Sequence, residues 1–264
     1  MTGDAGSDAG AGSDATVDAA TGDASPPGDP VALSVGYVRA TKAGDGDPAT
    51  FRRALADLDP EALADALDDD DARLAFWLNV YNASVQDHLA QEPRLFEERG
   101  LVPRRPIFRR KLLTIAGESL SVDDVEHGIL RRSRSGVGLG YVPRLRQSRF
   151  ERRHRVDDVD PRIHFALNCG AASCPSVLAY TEEAVDDQLD ASTRGYLDAE
   201  VSYEPSTGTA TVPKLFSWYR GDFGGKRGIK RFLREHDAVP ATADLSLAWA
   251  AYDWTLKLGQ YADA

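Results

Sequence analysis

The chain has 264 residues, 42% of them hydrophobic, and a formal net charge of −11 at pH 7. That is enough for one large domain or two small ones with a real core, and the absence of a run of about 18 apolar residues excludes a membrane-spanning helix. Its charged residues are 30 Asp, 12 Glu, 25 Arg and only 6 Lys. A surface dense in carboxylates and poor in lysine suits a halophilic protein, because salt screens the self-repulsion; a GC-rich coding bias favours the same residues. Two cysteines do not make a disulfide framework, and the first thirty residues lack a basic start and an apolar stretch. A reduced, cytoplasmic setting is therefore expected.

Residues 1–30 are almost wholly Gly, Ala, Ser, Thr, Asp and Pro. They carry too little apolar surface to offset the entropy of ordering, and a disordered acidic tail is expected there. The globular part is expected over residues 31–264. Phe51–Leu58 and Pro60–Leu67 read as short helices, the second with proline at a permitted first-turn position. Ala72–Gln91 reads as a long helix, apolar on more than one face and hence central. Lys111–Ser121 reads as a hairpin turning at Ala116-Gly117-Glu118. Ser121 and Asp124 then have the spacing of a capping box for a helix from Val122 to Arg131.

After an arginine-rich, glycine-broken stretch, Arg162–Asn168 reads as a buried strand. Glu182 and Glu183 follow Thr181 in the first turn of a helix that runs to Ala199, where the helix dipole favours acids. Val201–Tyr203 and Thr209–Leu215 flank a Pro-Ser-Thr-Gly turn and read as a second hairpin. Gly228–Glu235 reads as a short helix, and the apolar, aromatic Leu245–Leu256 segment closes the core. Helices and hairpins alternate without β-α-β order, which points to an α+β fold. The expectation is a single domain with a central apolar helix, two hairpins and a buried His/Cys strand-loop.

That strand-loop, Ile163-His-Phe-Ala-Leu-Asn-Cys-Gly-Ala-Ala-Ser-Cys-Pro175, holds both cysteines. His164, Cys169 and Cys174 recur at five-residue steps across the break from apolar run to small-residue loop. Strand alternation would put His164 on the same face as Asn168, with Cys169 pointing into the core and Cys174 beyond the turn. The pair has four readings. The cysteines are inert core residues; or Cys174 is a nucleophile whose thiol is acidified by a histidine or by backbone N–H groups that also form an oxyanion site. Alternatively, the two thiols join His164 and His127 as Cys₂His₂ zinc ligands, at a looser spacing than the usual knuckle; or they are a redox or disulfide pair, though not at C-x-x-C spacing.

Asn79 and Asn82 lie three apart on one face of the central helix. Buried amides there must find partners, since an orphaned one costs about 1–3 kcal/mol. They tie the helix to a neighbouring loop, or one of them orients an imidazole or donates to an oxyanion. His127 is a structural residue of its helix or a base near the thiols. His88, His154 and His236 sit among polar residues and read as surface histidines. Nine arginines between Arg131 and Arg155, with the run Arg104–Lys111, form a positive island. It is either a solvated face paired with neighbouring acids or a site for an anion or a partner. Aromatic residues are too few there to suggest nucleic-acid stacking. No nucleotide-binding, metalloprotease or serine-hydrolase motif occurs, so no cofactor is expected. Gly221-Asp-Phe-Gly224 lacks the companion motifs of a kinase.

Four ordered blocks resemble the domain of unknown function 547 family: Phe76–Ala83, Val125–Arg131, Asp160–Pro175 and Phe216–Phe223. Ala251–Leu256 resembles its closing block, which usually ends in Asn where this chain has Lys257. The resemblance implies one intact domain over roughly residues 50–258 and marks Asn79, Asn82, His127, His164, Cys169 and Cys174 as matching its polar signature positions. It implies no established chemistry. The residues suggest a cysteine-dependent hydrolase or acyltransferase, with Cys174 as nucleophile, His164 or His127 as base and Asn82 as orienter. The alternatives are an interaction module that uses its arginines for a protein or small anionic ligand, with no role for a membrane, and a small zinc-stabilised domain.

Overall fold

The computed structural model describes residues 1, 28–42, 46–97 and 106–262. The tail expected at residues 1–30 lies almost entirely outside them, as do Arg104 and Arg105 of the basic run. Aspartate, the commonest charged residue, starts the N-terminal helices. Asp29, Asp47 and Asp59 each cap a helix whose first residue is proline: α1 (Pro30–Thr41), α2 (Pro48–Ala56) and α3 (Pro60–Ala66). Asp69 caps α4 (Asp70–Gln91) by accepting the Ala72 N–H at 2.9 Å. Helix α1, absent from the sequence reading, packs along α4, which is buried on all sides from Leu74 to Val85. A four-residue turn, α5 (Arg94–Glu97), follows.

The first hairpin is β1 (Leu113–Ile115) against β2 (Glu118–Leu120), in antiparallel register Leu113↔Leu120. Its two-residue turn places Ala116 at φ +48° and Gly117 at φ +75°, both left-handed as a tight hairpin requires. Ser121 and Asp124 form the reciprocal cap expected of them: the Ser121 N–H donates to Asp124 at 2.9 Å and the Asp124 N–H to Ser121 Oγ at 3.2 Å. The helix they start is wound as a π-helix over Asp124–Leu130, a geometry that concentrates at functional sites. Helix α6 (Arg149–His154) lies in the arginine-rich stretch, where no element was expected.

Arg162–Asn168 is not a strand. Asp160 caps a 3-10 turn, Pro161–Phe165, by accepting the Arg162 N–H at 2.8 Å. A five-residue apolar run cannot by itself separate strand from helix, and the Asp-Pro start decides for helix. The alternation argument for His164 and Asn168 falls with the strand. Helix α7 (Val185–Glu200) is preceded by a 3-10 turn over Glu182–Ala184. The second hairpin, β3 (Ser202–Glu204) and β4 (Thr209–Val212), gains a third strand. After α8 (Leu215–Trp218) and α9 (Gly225–Glu235), β5 (Ser246–Trp249) pairs parallel to β4. The 245–256 segment closes the core only in part: Leu245 is buried, Tyr252 and Leu256 are half-buried, and Trp254 is exposed.

The result is an α+β domain with two small sheets. One hydrophobic cluster surrounds α4 and includes Cys174. A second is aromatic, built on Phe165, Phe216, Phe223 and Phe232. The 3-10 turn joins them, with Ile163 in the first and Phe165 in the second. No helix among the described residues is long and apolar enough to cross a membrane.

Candidate functional site

Buried amides from α4 shape the cysteine loop. Asn82 donates to the Ala166 carbonyl at 2.9 Å and accepts the Asn168 N–H at 2.8 Å. Asn168 in turn staples the loop across its mouth: its amide donates to the Pro175 carbonyl at 2.7 Å, and its oxygen accepts from Gly170 N–H at 2.8 Å and from Gln86 at 3.1 Å. Asn79 does a parallel job elsewhere, bonding both the carbonyl and the N–H of Tyr180 at 2.8 Å. Both asparagines are fully buried and bound to backbone. On the other side the chain end straps the loop: Ala172 N–H donates to Thr255 O at 2.8 Å and Lys257 N–H to Gly170 O at 2.8 Å. Position 257 thus serves the loop with its backbone, which any side chain supplies.

This frame brings the two free sulfurs to 2.7 Å from each other. Cys174 Sγ accepts the Cys169 N–H at 3.0 Å and lies 3.2 Å from the Tyr252 hydroxyl; Cys169 Sγ lies 3.5 Å from the same hydroxyl. The burial order reverses expectation: Cys174 is buried and Cys169 half-buried, because Cys174 packs into the α4 core while Cys169 lies at the loop's edge. Burial alone would raise the Cys174 thiol. The Cys169 thiol, the Tyr252 hydroxyl and backbone N–H groups outweigh it and hold Cys174 below an ordinary cysteine. Cys169 is pushed well up, first by its contact with the Cys174 sulfur and then by the desolvation of its own sulfur. Burial and the two sulfurs keep Tyr252 protonated.

The imidazoles are engaged elsewhere. His164 Nε2–H donates to Asp222 Oδ2 at 2.8 Å, and its ring stacks on Tyr219 at 3.9 Å. Asp222 also takes Arg131 at 2.6 Å and Arg134 at 2.7 Å. Burial lowers His164 and leaves the ring neutral, so the cations facing Asp222 are the arginines. Burial would raise the Asp222 carboxyl, but hydrogen bonds from His164 and Arg131 hold it well below the usual carboxylate range. Arg131 further donates to His127 Nδ1 at 2.9 Å. A guanidinium only donates, so that nitrogen is an acceptor. The π-helix places Glu126 beside His127, where it accepts from the Tyr219 hydroxyl at 2.7 Å. The Tyr81 hydroxyl is 3.5 Å from Glu126, and burial first, then the charge of Glu126, raises it well above a free phenol.

The six residues named from sequence therefore fall into separate places. Cys169 and Cys174 meet; Asn82 holds their loop; His164 and His127 join the Asp222–Arg131 network; Asn79 ties α4 to Tyr180. The hydrogen-bond partners of the sulfurs include no imidazole. Among the described residues the one group with metal-ligand spacing is Asp123, Glu126 and His127, without a cysteine, and the Arg131 cation lies against it. The Cys₂His₂ set is not assembled. His154 is buried rather than on the surface, its ring 4.3 Å from that of Phe150. Four of the nine island arginines meet acids: Arg131 and Arg134 share Asp222, Arg144 meets Asp124 and Arg153 meets Glu61. Sequence reasoning missed Asp222, dismissed inside a kinase-like tripeptide, and Tyr252 and Asn168. A lone acid in an aromatic block and an arginine four residues after His127 were the available signals.

A family model described as protein of unknown function, DUF547, matches residues 65–197. The chain belongs to this family. The DUF547 match takes in α4, the π-helix and the whole cysteine loop, and ends before Asp222 and Tyr252, although the sequence resemblance extends to both. Searches of curated proteins and of solved structures gave no match.

Proposed function

We propose that this DUF547 domain is a cysteine-dependent enzyme in which Cys174 is the nucleophile. One observation carries the reading: Cys174 Sγ sits at the focus of the Cys169 N–H, the Cys169 thiol and the Tyr252 hydroxyl, at 3.0, 2.7 and 3.2 Å. Donors converging on one sulfur favour its thiolate, which is the reactive form. The partner expected from sequence was an imidazole. In this reading Tyr252 and Cys169 take its place. In a hydrolase or acyltransferase built on this thiolate, the Tyr252 hydroxyl would hold the developing oxyanion by a hydrogen bond. Labelling of the folded chain with iodoacetamide, followed peptide by peptide against pH, tests the proposal. Cys174 should alkylate well below pH 8 and ahead of Cys169; a Cys174 that reacts only after denaturation removes the reading.

An interaction module remains the second reading because of one surface. Val137, Leu139, Tyr141, Val142 and Leu145 are exposed within nine residues, flanked by exposed Arg132 and Arg146. Apolar side chains so grouped mark contact surfaces. Leu145→Asp would leave thiol labelling unchanged and abolish any self-association seen by sedimentation velocity; a wild-type chain that stays monomeric excludes a second copy as the partner.

A further inference from the structure

Resting on the Cys174 reading above, we infer that Cys169 and Cys174 form a peroxide-reducing dithiol, with Cys174 attacking a small hydroperoxide and Cys169 resolving the product as an intramolecular disulfide. Three features of the loop point there. The sulfurs are 2.7 Å apart, so a bond of about 2.05 Å needs little backbone movement. The donors are unequal: the Cys169 N–H serves Cys174 alone, which separates a nucleophile from a resolving thiol. Cys174 is only 7% exposed, which suits an oxidant little larger than water better than an acyl or peptide substrate.

The chemistry balances without an outside base. The Cys174 thiolate attacks the distal oxygen of ROOH, forming an S–O bond as the O–O bond breaks. The leaving RO⁻ accepts a hydrogen bond from the Tyr252 hydroxyl, takes a proton from solvent and departs as ROH. Cys174 is then a sulfenic acid, S–OH. The Cys169 thiol attacks that sulfur; the S–S bond forms, the S–O bond breaks, and hydroxide leaves. The thiol proton of Cys169 goes to that hydroxide to make water. Two electrons pass from the dithiol to the peroxide. An external thiol restores the pair by exchange. Asn168 and Asn82 are positioning residues: they hold the two ends of the loop so that the sulfurs stay together.

Hydrogen peroxide is the probe. The reduced full-length chain, treated with one equivalent, should lose both thiols, fall in mass by two hydrogens, and regain both thiols with dithiothreitol. Cys169→Ser should stop at a sulfenic acid on Cys174 that dimedone traps, and Tyr252→Phe should slow thiol loss about tenfold. If Cys174 alkylates below pH 8 but peroxide yields no Cys169–Cys174 linkage, the peroxide inference is overturned while the nucleophile reading stands. If Cys174 neither alkylates nor oxidises in the folded chain, both fall. Equal oxidation rates for Cys174 and a cysteine in the unfolded chain would also overturn the inference, since the loop would then contribute nothing.

Discussion

His164 Nε2 lies 2.8 Å from Asp222 Oδ2, with both side chains all but sealed from solvent. The same carboxylate neutralises Arg131, whose side chain is also fully buried. Replacing Asp222 by Asn keeps the shape but leaves a buried guanidinium without its counter-charge, a loss of about 3–5 kcal/mol for a pair of this kind. Asp222→Asn should lower the denaturant midpoint accordingly while the slope of the transition stays near the wild-type value. A loss below about 1 kcal/mol would mean that water reaches Arg131 and the network is not closed.

Acid should act in two stages, and the sign follows from which state binds the proton. His154 is pushed down to about 4 from 6.5, by burial first and then by Arg153 and Arg73; its Nδ1 is buried with no hydrogen-bond partner. Between those values the unfolded chain takes a proton that the folded chain refuses, so stability falls as pH drops from about 6.5 to about 4. Asp222, and Asp124 beside Lys111, Ser121 and Arg144, are held below the ordinary carboxylate range against the effect of burial. Their stabilisation is complete above the unfolded value of about 3.9 and is lost only as pH falls below it. His154→Gln should make the stability profile less steep between pH 6.5 and 4, with the buried His164 supplying the slope that remains, and leave the lower limb. Parallel profiles for wild type and variant would contradict this assignment.

Asn79 and Asn82 look alike in sequence and differ in consequence. Each bonds one carbonyl and one N–H of buried backbone, and an alanine there would orphan both, at about 1–3 kcal/mol apiece. Both variants should therefore lose about 2–6 kcal/mol in chemical denaturation. Only Asn82→Ala should also alter Cys174 labelling, because only Asn82 holds the loop that carries the sulfurs. Equal labelling in the two variants would show that the loop keeps its shape without the α4 amide.

The parts of the fold that were legible are those set by local rules. The long α4 helix, expected from Ala72 and found from Asp70, the Ala116-Gly117 turn and the Ser121/Asp124 cap each follow from neighbours in the chain. The 3-10 turn at Pro161–Phe165 was misread although its Asp-Pro start repeats the signal of α1, α2 and α3, because a short apolar run suits strand and helix equally. Helix α1 went unread for a similar reason: its burial depends on α4, with Tyr37 reaching Asp87 fifty residues on. The site shows the same division. The cysteine pair is local and was visible. Its contacts to Tyr252, and those of His164 to Asp222, span 78 and 58 residues, and no periodicity encodes a pairing at that distance.

Gly170 offers the sharpest local test of the cysteine loop. It sits at φ +88°, and a Cβ there would come within 2.7 Å of Leu89 Cδ1. Alanine would thus meet both backbone strain and a crowded neighbour on α4, at a combined cost of about 2–4 kcal/mol. Leu89 is fully buried and Leu256 Cδ1 and Phe96 Cε2 close the other sides at 3.5 and 3.7 Å, so relief must come largely from the loop itself shifting. Gly170→Ala should therefore lower thermal stability and also raise the exposure of Cys174 to small alkylating reagents. If stability falls while labelling of Cys174 stays at the wild-type rate, the strain is absorbed by α4 and the sulfurs do not depend on the turn that carries them.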